Sequence, residues 1–235
     1  MKKYGKKYNE VKKNMPESKQ SLLDALTICK ENSTANFDES IDAVFSLGID
    51  TKVVEENIRT TVSLPHGNGK TYKVAVFAEG DEAKEAKDAG ADQIGMEDLA
   101  EDIKKGNIDF DVIIATPETM RVVSPLGQIL GPKGLMPNPK SETVTKDVST
   151  AVKNSKAGQI RYKSDKQGII HSRIGQVGYT DKQLEENLVT FLADVKKAKP
   201  PSAKGVYISK VSISSTMGKG LELDMSALSF WGWFW

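Results

Sequence analysis

The 235-residue sequence predicts a mixed α/β fold (α+β in its first domain) in two domains, one of them discontinuous. Three observations predict it. Residues 73–116 repeat a rhythm of continuous apolar strand and amphipathic helix, the pattern of a parallel sheet covered on both faces. Strands before residue 66 and after residue 159 alternate apolar and polar positions instead, as half-buried strands do. Charge divides the same way: residues 67–158 carry 12 Lys and Arg against 15 Asp and Glu, net −3, and the flanks carry 21 against 17, net +4. The economical reading is one domain built from 1–66 and 159–235, with a second domain, 67–158, inserted. Both crossings contain Gly, which suits a hinge.

The elements follow in order. Residues 17–31 read as a helix, with Leu22, Leu23, Leu26 and Cys29 on one face and Ser18 as candidate N-cap. Residues 37–49 and 59–64 read as strands, and Pro65-His66-Gly67-Asn68-Gly69 ends the second. In the insert, 73–78 is a strand and 81–90 a helix. A short strand at 93–94 precedes a helix over 96–105, stopped by Gly106. Residues 111–116 form a buried strand, and Pro117 opens the next helix in its first turn. Residues 129–140 hold three prolines, two glycines and two lysines, which predicts a stiff cationic loop rather than a helix. After Gly158, strands at 159–163 and 168–175 flank a hairpin turn. A helix runs from Asp181 to about Lys199, with Leu184, Leu188, Phe191, Leu192 and Val195 on one face, until Pro200-Pro201 stops it. Residues 207–214 form the last strand.

Composition and motifs exclude several functions. No window approaches 18 consecutive apolar residues, and the N-terminal lysines precede no apolar core, so neither a membrane span nor a signal peptide is expected. A single cysteine, Cys29, fits a reducing cytoplasm and reads as a small buried hydrophobe. Gly69-Lys70-Thr71 lacks the first phosphate-loop glycine, since Leu64 stands there, and no GxGxxG follows the strand at 74–77. His66 and His171 have no ligand partners at metal spacing. No nucleophile lies beside a base. The sequence therefore offers no catalytic residue, metal ligand or cofactor site. The alternative function it leaves open is a small-molecule-binding α/β protein or enzyme.

Binding features are richer. Six lysines fall within residues 1–13, and residues 159–220 hold 11 basic against 5 acidic side chains. Ser164-Asp165-Lys166 sets polar groups and a cation at a hairpin tip. Ser212, Ser214, Ser215 and Thr216 lead into Met217-Gly218. Small hydroxyls beside Gly let a backbone lie close to sugar and phosphate, which suits folded RNA read by shape and 2′-OH. The same series also reads as an ordinary polar strand edge, and Phe37 as either a stacking surface or core.

Several motifs stand in a fixed order: Phe37-Asp38-Glu39-Ser40, Leu47-Gly48-Ile49-Asp50, Leu64-Pro65-His66-Gly67, Ala89-Gly90-Ala91-Asp92, the 129–140 loop, Lys156-Ala157-Gly158, Asp165-Lys166, His171, Ala203-Lys204-Gly205 and Ser215-Thr216-Met217-Gly218. In this order, from about Ser18 to Asp224, the chain resembles the bacterial ribosomal protein L-one family, proteins of the mobile side stalk of the large ribosomal subunit. The resemblance implies a sandwich-like domain from both termini and an inserted Rossmann-like, three-layer α/β domain. It implies a non-enzymatic, cytoplasmic protein, monomeric within the ribosome, without cofactor, metal or membrane partner. Its implied partners are large-subunit ribosomal RNA, its own operon mRNA, whose translation it would repress, and deacylated tRNA leaving the exit site. RNA contacts are implied at Phe37, Ser40, Asp165, Lys166, Thr216, Met217 and Gly218, with His171 and Ser214 beside them. Lys219, where relatives commonly carry small residues, adds a cation for phosphate. Lys133 and Lys140 are expected as secondary RNA or tRNA contacts. The tail Phe230-Trp231-Gly232-Trp233-Phe234-Trp235 is no part of the resemblance and holds all three tryptophans.

Overall fold

The computed structural model describes residues 5, 8–9, 11–12, 15–16, 18–53, 56–203 and 205–225. The aromatic tail 230–235, Lys204 and the N-terminal lysines Lys2, Lys3, Lys6, Lys7 and Lys13 lie outside the described residues. The chain divides into two compact units, residues 1–69 with 160–235, and residues 70–159. The mixed α/β class read from the sequence is the one observed.

In the first unit, α1 (Leu22–Glu31) is followed by β1 (Ser40–Leu47) and β2 (Arg59–Ser63). The chain returns to this unit in β6 (Gln159–Lys163), whose first residue closes the second unit, and continues through β7 (Ile169–Gln176), α7 (Asp181–Lys197), β8 (Ile208–Ser215) and β9 (Leu221–Glu222). Ser21, not Ser18, caps α1: its hydroxyl accepts the Asp24 N–H at 3.3 Å. The helix cannot begin earlier because the Gln20 backbone is extended, donating to Glu222 and accepting from Asp224. A capping box of Thr180 and Gln183 starts α7.

Four antiparallel strands form one sheet in the order β7-β1-β8-β9, and β2 pairs with β6. Alternation along β1 sends Ile41, Ala43, Phe45 and Leu47 to one face, where α1 and α7 cover them. Phe191 of α7 meets Phe45 edge-on at 4.9 Å and Tyr162 at 5.0 Å. The register of β7 slips between Ile41 and Asp42, so Ile174 and Gly175 are both buried and strict alternation fails there.

The second unit runs β3 (Val74–Phe77), α2 (Asp81–Asp88), β4 (Gln93–Gly95), α3 (Glu97–Lys105), β5 (Val112–Ala115). Its parallel sheet has the order β4-β3-β5. Ala75, Phe77, Ile113 and Ala115 pack with Leu99 and Ile103 on one side; Val74, Val76, Val112 and Ile114 pack with Ala86, Val148 and Val152 on the other. Three layers result.

Two expectations are corrected here. Pro117 does not open a helix: Thr119 donates to the Phe77 carbonyl at 2.9 Å and accepts from the Thr116 N–H at 3.1 Å, closing a turn, and α4 (Met120–Val123) begins after it. The 129–140 run is not all loop: α5 (Gly127–Lys133) carries Pro132 in its last turn, and Pro139–Ser141 is a 3-10 turn. Pro132 lacks the N–H that would complete one bond of this last turn, a loss set against the full burial of Leu130. Gly134, with φ 72°, closes α5 as its N–H and that of Leu135 return to the carbonyls of Gly131 and Leu130. A helix the sequence reading did not include, α6 (Val148–Lys156), starts where Asp147 accepts the Thr150 N–H.

Candidate nucleic-acid interface

The face of the four-stranded sheet opposite α1 and α7 is polar and open. The register sets it in cross-strand rows: Arg173, Asp42 and Ser214; His171, Val44, Ser212 and Glu222; Ile169, Ser46 and Lys210. His171 and Lys210 are exposed, and Asp42, Arg173 and Ser214 half-buried. The Asp42 carboxyl sits above its ordinary pKa, because burial raises it more than Arg173, the Ser40 hydroxyl and His171 lower it. Lys210 is 2.6 Å from Glu222.

At one end of this face the sequence-selected residues come together across 176 positions of chain. The Ser40 N–H donates to the Thr216 hydroxyl at 2.9 Å, and the two hydroxyls lie 3.0 Å apart. Phe37 is 57% and Met217 61% exposed, unusual for large apolar side chains, and both line one groove with Tyr8, Val11, Thr34, Ala35 and Asn36. Phe37 is therefore a surface residue, not core. The Gly218 N–H donates to the Ser215 carbonyl at 3.2 Å; a Cβ at 218 would stand 2.4 Å from the buried Ser215 hydroxyl oxygen, so the turn is built for Gly. Lys219 follows, half-buried.

Beneath this end lies Glu39, 1% exposed. One carboxylate oxygen accepts the Ala35 N–H at 3.0 Å and the other the Met217 N–H at 3.1 Å. Burial pushes its pKa up, but the amide bonds, that from Met217 most, outweigh burial and hold it below the ordinary value.

Asp165 and Lys166 are not brought to that end. The β6–β7 turn sits at the far end of β1, where the Leu47 N–H donates to the Gly168 carbonyl and the Thr51 hydroxyl to the Lys166 carbonyl at 2.8 Å. Seven residue steps along β1 separate the two ends by roughly 23 Å. Asp165 spends its carboxylate on the turn itself, accepting the Ile169 N–H at 2.9 Å and the Gln167 N–H at 2.8 Å; those bonds lower its pKa, the Ile169 bond most. His171 lies 3.8 Å from Asp165. Lys166 is exposed. The candidate interface is thus a strip: a hydroxyl and apolar end, a polar sheet, and a cationic turn. Lys133, at the end of α5, and Lys140, in the 3-10 turn, belong to the second unit.

The sequence reading passed over Glu39, Asp42, Arg173 and Lys210. Asp42 shares strand parity with Ser40 and could have been placed on the same face. Glu39 stands inside the Phe37-Asp38-Glu39-Ser40 motif, but its role rests on one local amide, Ala35, and one 178 residues away, Met217, a pairing that spacing alone does not reveal. Among the described residues no group of three His, Cys, Asp or Glu side chains could hold a metal, and no helix is long and apolar enough to cross a membrane.

Comparison with known proteins adds an independent line. Residues 29–219 match the Ribosomal protein L1p/L10e family. The chain is 57% identical over 207 residues to the large ribosomal subunit protein uL1 of Coxiella burnetii, covering 88% of this chain and 89% of the relative. It is 56% identical over 206 residues to uL1 of Pseudoalteromonas atlantica, covering 88% of each. With uL1 of Actinobacillus succinogenes it shares 52% identity over 229 residues, 97% of this chain and 100% of that one. The chain belongs to the Ribosomal protein L1p/L10e family, a family of structural, non-enzymatic ribosomal proteins.

Proposed function

We propose that this protein is a constituent of the large ribosomal subunit in the cytoplasm and grips structured ribosomal RNA, at the mobile side stalk, with the open sheet face of its first unit. Relatives named as large-subunit proteins support the setting. The observation that carries the RNA reading is the Ser40–Thr216 junction, where paired hydroxyls lie beside exposed Phe37 and Met217. Hydroxyls and backbone groups read sugar and shape; Lys166, Arg173, Lys210 and Lys219 supply the salt-dependent phosphate contacts. His171 and Ser214 lie within the same strip. Residues 1–66 with 159–235 form the RNA-binding domain, and the inserted domain 67–158 adds weaker contacts through Lys133 and Lys140.

Two further roles belong to this proposal. The same face takes a similar fold on the protein's own operon mRNA and represses its translation, and the stalk, with the protein bound as a monomer, assists exit of deacylated tRNA. Crosslinking within purified ribosomes tests the core of it. Peptides from 34–46 and 210–219 should carry ribosomal RNA, and crosslinks confined to α1 and α7 would remove the assignment.

A further inference from the structure

We infer that Glu39 is the positioning residue of the RNA-binding end: its buried carboxylate holds the Phe37 loop and the Met217 turn at a fixed spacing before RNA arrives. The inference rests on the RNA-binding function proposed above.

The ladder between β1 and β8 ends with Ile41 opposite Ser215. Past that point side chains replace the backbone pairing. The Ser40 N–H goes to the Thr216 hydroxyl, and the Met217 N–H to Glu39, 178 residues away. The other Glu39 oxygen holds the Ala35 N–H. One carboxylate thus ties together the two segments that carry the exposed apolar residues of the groove. Its hydrogen-bond partners are the Ala35 and Met217 amides, with no cation among the described residues. Burying an anion beneath a surface that meets a polyanion is unfavourable in itself. Two backbone N–H groups that both need an acceptor explain it, because only a carboxylate offers two oxygens and no donor. Glutamine has the same shape but turns an NH₂ group toward one of those N–H groups.

The test compares wild type, Glu39→Gln and Glu39→Asp for binding to a side-stalk ribosomal RNA fragment at several salt concentrations. Glu39→Gln should bind at least 10-fold more weakly with an unchanged slope of log Kd against log salt, because no phosphate contact is lost. Glu39→Asp, which keeps both acceptors on a shorter arm, should recover part of the loss. A folded Glu39→Gln variant binding within twofold of wild type would overturn the inference. Should that variant fail to fold, amide exchange in free wild type decides. Protected Met217 and Ala35 amides support prior positioning, and exchange at unstructured-loop rates refutes it. Failure of wild type itself to bind the fragment would instead count against the proposed function.

Discussion

Thr216→Ala removes a hydroxyl that serves two purposes. In the free protein the Thr216 oxygen accepts the Ser40 N–H at 2.9 Å, but Thr216 is exposed and Ser40 only half-buried, so water can take its place. The cost to folding should fall at the low end of a net hydrogen bond, about 0.5–1 kcal/mol. Beneath bound RNA the water is excluded and the Ser40 N–H is left without an acceptor, which costs about 1–3 kcal/mol. That is a roughly 5- to 150-fold weaker Kd. Filter binding with a side-stalk RNA fragment at fixed salt measures the affinity, and urea unfolding measures the stability. Thr216→Ser, which keeps the hydroxyl, should bind like wild type. A Kd for Thr216→Ala within twofold of wild type would refute the role of the junction; a collapse in stability would show that the hydroxyl is a core element instead.

Other expectations follow from the same contacts. Burial raises the Cys29 thiol to about 11, helped by the nearby Glu39 charge and opposed by a bond from the Ser215 backbone, so a thiol reagent at pH 8 should find no reactive cysteine until the protein is denatured. Glu39 and Asp165 both titrate below their unfolded values of 4.5 and 3.8. Their stabilisation is therefore complete above about pH 5 and is lost as pH falls through the lower folded values, while Asp42, raised, works in the opposite sense; urea midpoints should be flat from pH 7 to 5 and drop below about 4.5. Phe191→Ala empties the space between Phe45 and Tyr162 and should destabilise the first unit by about 3–5 kcal/mol, read in the same urea unfolding.

Legibility in the sequence followed physical range. Helix α7 was readable because its apolar positions repeat at helical spacing and two prolines end it, and β3 and β5 because continuous apolar runs need cover on both faces. Local competition misplaced ends. Ser18 has the chemistry of a cap, yet the pairing of Gln20 with the β9 segment decides where α1 starts. Pro132 argued against a helix that burial of Leu130 favours. Helix α6 went unread because Val148, Ala151 and Val152 lie among Ser, Thr and Asn residues of weak helical propensity. The meeting of Ser40 with Thr216 was expected only through family resemblance, and the tie made by Glu39 was not legible, because one of its two amides, Met217, lies 178 residues away and leaves no pattern along the chain.

The same division of cores makes one last prediction. Among the described residues, the first unit's core draws on residues before 65 and after 159, from Val11 through Leu64 and from Ile160 through Leu223. The two cores of the second unit lie wholly within residues 74–152. Among the described residues each core is built from its own unit, the condition for folding alone. Residues 66–69 are themselves tied to the first unit. The fully buried Asn187 accepts the His66 N–H and donates to the Gly67 carbonyl, and Gln176 donates to the Gly69 carbonyl at 3.0 Å. Replacing 70–159 with a flexible Gly/Ser linker should therefore leave a cooperatively unfolding protein with the Ser40–Thr216 junction intact. If the sheet face is the main RNA site, that protein keeps most of its affinity and loses only what Lys133 and Lys140 contribute, a smaller salt slope being the sign of their absence. Loss of all RNA binding by a folded deletion variant would mean that the insert, not the paired termini, carries recognition.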